Sequence, residues 1–225
     1  MANITKIKAM ARELCLMEIA NPNFDMSYAD GKCLEYLENL LTMEVDSRRR
    51  TAIERIRKTC NLPNIRFDMG RVKSDVRSQL GKLLECSWVE HNKNLVITGA
   101  CGSGKTVLAT HLANAALEKG HKVFYIKLDE MLVVLNRKDS LEKASATYNK
   151  ILKADVLVLD EMLYLNITRQ ELEAVYKTLM FINDTASIIF ITNREQSEML
   201  HDADEKYTMR LLLERAFSGA DVIRL

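Results

Sequence analysis

The sequence predicts an α/β protein in which a small helical domain precedes a parallel sheet of five strands. From Asn94 onward, short apolar runs alternate with amphipathic stretches of helical period, which is typical of a parallel sheet covered by helices on both faces. A glycine-rich octapeptide follows the first of these runs and leads into a helix. Residues 1 to about 60 have helical periodicity instead. The 225 residues have room for one α/β domain of roughly 130 residues and a smaller unit.

The N-terminal segment is expected to form two helices. Asn21–Asn23, which contains a proline, breaks the first pattern, and Ser27–Asp30 resembles a capping box that opens the second helix. We expect this helix to continue through a basic segment to Lys58. The expected domains are therefore residues 1–62 and 63–225. The apolar residues at helical spacing are Ile7, Met10, Leu14 and Met17 in the first helix, and Leu34, Leu37, Leu40 and Leu41 in the second.

Turn and cap signals separate the strands of the second domain. Gly120 is expected to end the helix that follows the first strand, and Asp129 is expected to cap a short helix that follows the second strand. The polar stretch Asn136–Ser145 is expected to contain an exposed loop. Thr168–Glu171 is a capping box, and a last helix is expected from Lys206 to Phe217. The predicted strands are Leu95–Thr98, Val123–Ile126, Val156–Leu159, Ile188–Ile191 and Val222–Ile223.

The octapeptide is the most specific functional signal in the chain. It matches the phosphate-loop pattern G-x-x-x-x-G-K-[ST] and lies between a predicted strand and a helix, as that motif requires. Its glycines let backbone N–H groups face phosphate oxygens, and the helix N-terminus adds partial positive charge. A glycine-rich turn that binds nothing is the alternative. Its residues are Gly99, Ala100, Cys101, Gly102, Ser103, Gly104, Lys105 and Thr106. They predict an ATP site in which Lys105 contacts the β- and γ-phosphates and Thr106 ligates Mg²⁺.

Polar residues follow two later strands. Asp160 and Glu161 come directly after the third strand, at the edge where parallel sheets bind ligands. Asp160 is a candidate for holding Mg²⁺, and Glu161 for orienting and deprotonating the attacking water. Asn193 ends the fourth strand, where an amide can reach the γ-phosphate or its water. A helix cap for the acid pair and a strand-end turn for Asn193 are the structural alternatives.

Arginines on the last helix and in the N-terminal segment are candidates for other contacts. Arg215 or Arg210 can act as an arginine finger on the ATP of a neighbouring subunit, or either can be a solvated charge. The basic cluster at the end of the second helix predicts contacts with the DNA backbone without strong sequence readout, and a solvated basic face is the alternative. The members of this cluster are Arg48, Arg49, Arg50, Arg55, Arg57 and Lys58.

Composition narrows the class of protein. The net charge of +1 means that a nucleic-acid surface must come from local clustering of charge. No apolar run is long enough for a signal peptide or a membrane helix, and a cytoplasmic location is expected. The five cysteines include no C-x-x-C pair, which favours reduced thiols over disulfides or a zinc site.

These features together resemble the IstB-like ATP-binding family, the helper ATPases of insertion-sequence transposases within the AAA+ class. That family is similar to the DnaC-type loaders of the replicative helicase. The resemblance implies an AAA+ core, ATP-dependent homo-oligomers, duplex DNA binding and partnership with a transposase. It also favours Arg215 over Arg210 as the finger. The segments that carry it are Met10–Leu14, Tyr36–Leu41, Glu44 with Arg48–Arg50, Phe67–Asp68, Gly99–Thr106, Leu159–Leu165, Thr192–Arg194 and Leu213–Arg215.

Two other functions fit the same motifs less well. A helicase loader would use the same ATP chemistry on a replicative helicase, but the sequence lacks the cysteine spacing of an N-terminal zinc unit. A small-molecule kinase would need an acceptor pocket, and a basic helical N-terminal domain does not supply one. The function that the resemblance implies is that of an ATPase that assembles on DNA and regulates or targets a transposase.

Overall fold

A computed structural model describes residues 3–71, 74–162, 167–194 and 207–225. The chain divides into two compact units, residues 1–55 and 56–225. This division falls a few residues before the predicted domain boundary at residue 62. Residues 60 and 61 belong to the second unit because Cys60 and Asn61 form hydrogen bonds with Tyr125 of that unit.

The first unit is helical, as the sequence predicts. Its helices are α1 (Ile4–Glu13), α2 (Met17–Ala20) and most of α3 (Gly31–Arg57), which begins in the first unit and ends in the second. The Asn3 side chain caps α1 by accepting a hydrogen bond from the Lys6 amide. The buried apolar cluster of this unit consists of Ile7, Met10, Leu14, Met26, Leu41 and Val45.

The predicted cap of α3 is wrong. Asp30, not Ser27, caps the helix, because its Oδ1 accepts a hydrogen bond from the Cys33 amide at 2.7 Å. Ser27 lies in a preceding turn, where its own amide donates to Asp25 Oδ1 at 2.8 Å. An Asx turn at Asp25 is followed by a helix cap at Asp30, and the spacing of the sequence does not distinguish the two.

The second unit is an α/β domain with one five-stranded sheet in the order β2-β3-β4-β1-β5, and every pairing is parallel. The predicted fold class is therefore confirmed. A 3₁₀ turn (Met69–Arg71) precedes its regular elements. These are α4 (Ser74–Leu84), α5 (Ser87–Glu90), β1 (Leu95–Thr98), α6 (Lys105–Glu118), β2 (Val123–Lys127), α7 (Leu128–Arg137), α8 (Glu142–Leu152), β3 (Val156–Asp160), α9 (Arg169–Asn183), β4 (Ser187–Thr192), α10 (Tyr207–Phe217) and β5 (Asp221–Arg224).

Several cap predictions can be compared with these helices. Gly120 follows α6 with φ +94°, and its amide donates to Leu117 O, so it ends the helix as expected. Thr168 and Glu171 form the capping box of α9. Asp129 lies inside the first turn of α7 and is not its cap. The stretch Asn136–Ser145 contains an exposed loop as predicted, at residues 138–141, but the loop is short because α7 continues to Arg137 and α8 begins at Glu142. The predicted start of the last helix, Lys206, lies outside the described residues.

The order of the strands positions the candidate site. β1, β3 and β4 are buried along their whole length, and β4 lies between the other two. Their carboxyl ends meet at one edge of the sheet, where the chain continues into the phosphate loop, Asp160–Glu161 and Asn193. Among the described residues, every helix is too short or too polar to cross a bilayer.

Candidate nucleotide site

The phosphate loop joins β1 to α6 and depends on backbone conformations that favour glycine. Gly102 and Gly104 have φ values of +77° and +94°, in the left-handed region. Gly99 has φ +148°, and a Cβ atom there would lie 2.6 Å from the Leu225 carbonyl oxygen and 2.9 Å from Ser103 Oγ. Gly104 immediately precedes α6, so the first N–H groups of that helix have no capping side chain and can face an anion.

Lys105 and Thr106 begin α6 and extend from it in different directions. Lys105 Nζ donates to the carbonyl oxygens of Gly99 and Ala100 at 2.8 and 2.7 Å, which places its charge over the loop. Thr106 Oγ1 donates to Asp160 Oδ2 at 2.9 Å. This arrangement puts a cation beside the loop and a hydroxyl beside a carboxylate.

Asp160 is the last residue of β3 and is only 5% exposed. Its Oδ2 accepts hydrogen bonds from Thr106 and from the Tyr125 hydroxyl, the latter at 2.7 Å, and its Oδ1 accepts one from the Glu161 amide at 2.8 Å. Burial, together with the hydrogen bond to Asp160, raises the pKa of Tyr125 well above its usual value, so its hydroxyl remains a donor.

The donor set at Asp160 suits Mg²⁺. A hydroxyl and a carboxylate are hard oxygen ligands, and one or two such protein ligands with phosphate oxygens and water are the usual environment of this ion. Thr106 and Asp160 are already in contact across the first turn of α6 and the end of β3. The described residues contain no cluster of three or more His, Cys, Asp or Glu side chains, so a fully protein-ligated metal centre is not seen there.

Glu161 has an unusual backbone conformation and a charged partner. Its φ is +57°, which is rare for a residue other than glycine or asparagine. Its Oε1 lies 3.0 Å from Lys127 Nζ at the end of β2. The hydrogen bond and the charge of Glu161 raise the pKa of Lys127 above its usual value. The candidate general base therefore forms an ion pair with Lys127, and both side chains are about 40% exposed.

A cavity of about 540 Å³ brings together most of the residues predicted for the nucleotide site. Asn193 lies in its wall with Asp160 and Glu161, as the strand order requires. Gly99, Ala100 and Ser103 belong to the loop but do not line this cavity. Its lining consists of Cys101, Gly102, Gly104, Lys105, Thr106, Val107, Asp160, Glu161, Met162, Ile191, Thr192 and Asn193.

The two candidate finger arginines lie apart from this cavity. Arg215 Nη2 is 3.5 Å from Asp184 Oδ1, at the end of α9 and just before β4 begins. This is the amino edge of the sheet, opposite the phosphate loop. Arg210 Nε is 3.0 Å from Glu214 Oε1 on the same helix. Within one chain, neither contact brings a guanidinium to the nucleotide cavity.

The members of the basic cluster differ in their partners. In the first unit, Arg48 contacts Glu44 at 2.8 Å and the Leu14 carbonyl at 3.4 Å, and Arg49 lies 3.9 Å from Glu13. Arg50 and Arg55 belong to the same unit, and both are exposed.

In the second unit, Arg57 donates to Asn114 Oδ1 at 3.1 Å and lies 3.7 Å from Glu118. It therefore braces α6. Lys58 follows it and is also exposed. The cluster thus consists of exposed cations, some of which are engaged with acids and amides of the protein itself.

Sequence reasoning missed Tyr125 and Lys127. Both lie on β2 and contact the acid pair. The register of β2 with β3 pairs Lys127 with Asp160, and this register is not readable from the sequence. The only available signal was two polar-tipped residues two positions apart at the end of an apolar strand, which places them on one face.

Comparison with known proteins agrees with this geometry. The family model described as "IstB-like ATP binding protein" matches residues 6–224. An ATP-binding protein of an IS21-like insertion sequence from Bacteroides fragilis is 28% identical over 195 residues, which cover 85% of this chain and 74% of that protein. A second one, from Bacteroides fragilis strain YCH46, is 30% identical over 149 residues, which cover 64% and 74%. The crystal structure of the DnaC helicase loader shares the fold, with a TM-score of 0.57 and 17% identity over 74% of this chain and 97% of the loader.

Proposed function

Because this chain belongs to the family of IstB-like ATP-binding proteins and is an ATPase of the AAA+ class, we propose that it assembles on duplex DNA as a homo-oligomer and uses ATP to regulate or target a transposase. The observation that carries the proposal is the contact of Asp160 with Thr106, with Glu161 lining the same cavity as the phosphate loop. The similar proteins from Bacteroides fragilis are ATP-binding proteins of insertion sequences, which supports the choice of a transposase.

The residues of the site have distinct proposed roles in hydrolysis. The backbone N–H groups of the loop and the N-terminus of α6 hold the phosphates, and the Lys105 ammonium moves from two loop carbonyls to phosphate oxygens. Thr106 and Asp160 would hold Mg²⁺, which would neutralise negative charge on the ATP phosphates. Glu161 accepts a proton from the attacking water, and the Asn193 amide orients that water.

A shared active site is the second part of the proposal. Arg215 contacts Asp184 at the edge of the sheet opposite its own phosphate loop. A guanidinium there cannot act on the ATP of its own chain without a large displacement. It can act on the ATP of a neighbouring subunit, and Arg210 is the other candidate. In this arrangement assembly is required for hydrolysis.

The third part assigns the basic cluster to the DNA backbone. Arg48, Arg49 and Arg50 are consecutive and exposed, so they point in different directions around α3. Their partners Glu44 and Glu13 are surface acids, and such pairs are worth only about 0–1 kcal/mol. Phosphates can therefore displace them. Arg55 and Lys58 continue the positive charge along the sequence, whereas Arg57 contacts Asn114 and Glu118 of α6.

A salt series tests the DNA assignment. Replacing Arg48, Arg49 and Arg50 with alanine should weaken binding to all duplex sequences and lower the slope of log affinity against log salt by roughly 0.9 per lost phosphate contact. ATP binding should be unchanged. A control variant removes three exposed cations from the second unit, namely Lys143, Lys150 and Arg169. The control variant should keep the wild-type slope. If the variant without Arg48, Arg49 and Arg50 also keeps that slope while still forming oligomers, the DNA contacts lie elsewhere.

A helicase loader remains the second candidate function, and the shared fold is the observation in its favour. The two functions differ in the protein that must alter the ATPase rate. We expect a transposase encoded beside this gene to bind the ATP-loaded protein on DNA and to change its hydrolysis rate. The replicative helicase of the same cell should leave that rate unchanged. The reverse pair of results would replace the proposed function with the loader function.

A further inference from the structure

The Tyr125 side chain connects the edge of the sheet to the acid of the nucleotide site. β2 is an edge strand, paired on one side with β3. Tyr125 lies in its middle and is 5% exposed, and its hydroxyl donates to Asp160 Oδ2 at 2.7 Å. Side chains alternate along a strand, and Phe124 and Ile126 on the other face belong to the apolar core. The phenol is therefore on the same face as the site.

The backbone of Tyr125 is held from its unpaired side. Its N–H donates to the Cys60 carbonyl at 2.8 Å, and its own carbonyl accepts a hydrogen bond from Asn61 Nδ2 at 3.2 Å. Cys60 and Asn61 follow α3 by only a few residues. Asn61 has φ +58°, a left-handed conformation that asparagine tolerates. The segment 60–61 thus contacts both backbone polar groups of the residue whose side chain contacts Asp160.

We propose that Tyr125 is a positioning residue for the magnesium-binding carboxylate of Asp160, and that Cys60 and Asn61 fix Tyr125 in the position this requires. This inference rests on the proposed assignment of Asp160 to Mg²⁺. Three donors from three places orient the carboxylate: Tyr125 on β2, Thr106 on α6 and the Glu161 amide. A phenylalanine would fill the same apolar space, so the hydroxyl is the part of Tyr125 that serves the site.

The variant Tyr125→Phe tests the hydroxyl. The measurement is the Mg²⁺ concentration that half-restores binding of a fluorescent ATP analogue. Loss of a residue that orients a metal ligand should raise this concentration roughly 10–100-fold, whereas metal-free binding of the analogue should stay unchanged. Tyr148→Phe is the matched control, because that ring packs under Lys138 away from the site and should change nothing. An unchanged Mg²⁺ midpoint in Tyr125→Phe would overturn the inference, as would a loss of thermal stability with no change in midpoint.

The variant Asn61→Gly tests the segment 60–61. Glycine keeps the positive φ and removes the amide, so the Mg²⁺ midpoint should rise by a smaller factor, roughly 2–10-fold. Asn92→Gly is the control, because Asn92 also has a positive φ, +49°, and is exposed. Since Asn61 acts through Tyr125, the double variant should match Tyr125→Phe alone. Additive effects would refute that route.

Failure of the proposed function gives a different result from failure of this inference. If the wild-type protein binds the analogue equally with and without Mg²⁺, the assignment of Asp160 and Thr106 to the metal is wrong. If the wild type requires Mg²⁺ and Tyr125→Phe requires the same concentration, only the role of Tyr125 is wrong.

Discussion

Replacing Gly99 with alanine should destabilise the protein more than the same change at its other glycines. Two effects add at this position. The φ of +148° is sparsely allowed for alanine, which costs about 1–3 kcal/mol. The new Cβ would also lie 2.6 Å from the Leu225 carbonyl oxygen and 2.9 Å from Ser103 Oγ, so both neighbours would have to shift. Forced shifts of this kind cost about 1–3 kcal/mol, so we expect a loss of about 2–6 kcal/mol in all.

Two other glycines separate these effects. Gly102 has φ +77°, but no atom lies within 4 Å of the place that an alanine methyl would take, so Gly102→Ala should show the conformational cost alone, about 1–2 kcal/mol. Gly81 lies within α4, again with nothing within 4 Å and no positive φ, so Gly81→Ala should stabilise the protein by about 0.5–1 kcal/mol. All three can be measured by urea unfolding, with ATP affinity measured in parallel.

The expected order of stability is therefore Gly81→Ala above wild type, then Gly102→Ala, then Gly99→Ala. ATP affinity should fall at both loop positions and not at Gly81. A Gly99→Ala protein as stable as Gly102→Ala would refute the close approach between Gly99 and the Leu225 carbonyl. Equal ATP affinity in all three variants would refute the phosphate loop itself.

The remaining predictions concern the nucleotide and its neighbours. Lys105→Ala removes a charge-assisted contact worth roughly 1.5–3 kcal/mol, so calorimetry should show ATP binding weakened about tenfold or more. Glu161→Gln should bind ATP normally yet hydrolyse it roughly 10²–10⁴ times more slowly, and normal turnover would exclude Glu161 as the base. Lys127→Met frees Glu161 from an exposed ion pair worth at most about 1 kcal/mol, so basal hydrolysis should rise by up to roughly fivefold; a fall would mean that Lys127 assists the reaction. Arg215→Ala should abolish hydrolysis but not ATP binding, and mixing it with Glu161→Gln subunits should restore some activity, unless the site is not shared.

The strands could be predicted because each of them contains an uninterrupted run of apolar residues. Leu95, Val96 and Ile97 of β1 are each fully buried, and an apolar run is what a strand covered on both faces requires. The phosphate loop and the acid pair could be predicted for a related reason: a local motif and a strand end each fix a position without knowledge of the pairing. The strand order then brings them together.

Features that depend on long-range contacts could not be predicted. Helix α8 was missed because Ile151 is its one fully buried residue, and its helical stripe is completed by partners on α7 and α9. Tyr125 and Lys127 were missed because their role depends on the register of β2 with β3. The contact of Arg57 with Asn114 likewise joins residues that are far apart in the sequence, so the sequence does not show it.

The backbone conformation of Glu161 has a consequence for laboratory evolution. A left-handed φ of +57° on a residue with a long side chain is a local strain that glycine or asparagine would relieve. Libraries screened for heat resistance alone should therefore accumulate Glu161→Gly and Glu161→Asn, and those variants should lose most of their ATPase activity, as expected for Glu161→Gln. Libraries screened for turnover should never contain them. Selection for heat resistance would thus replace Glu161, and selection for turnover would keep it. The residue found at position 161 would therefore show which of the two properties a population has been selected for.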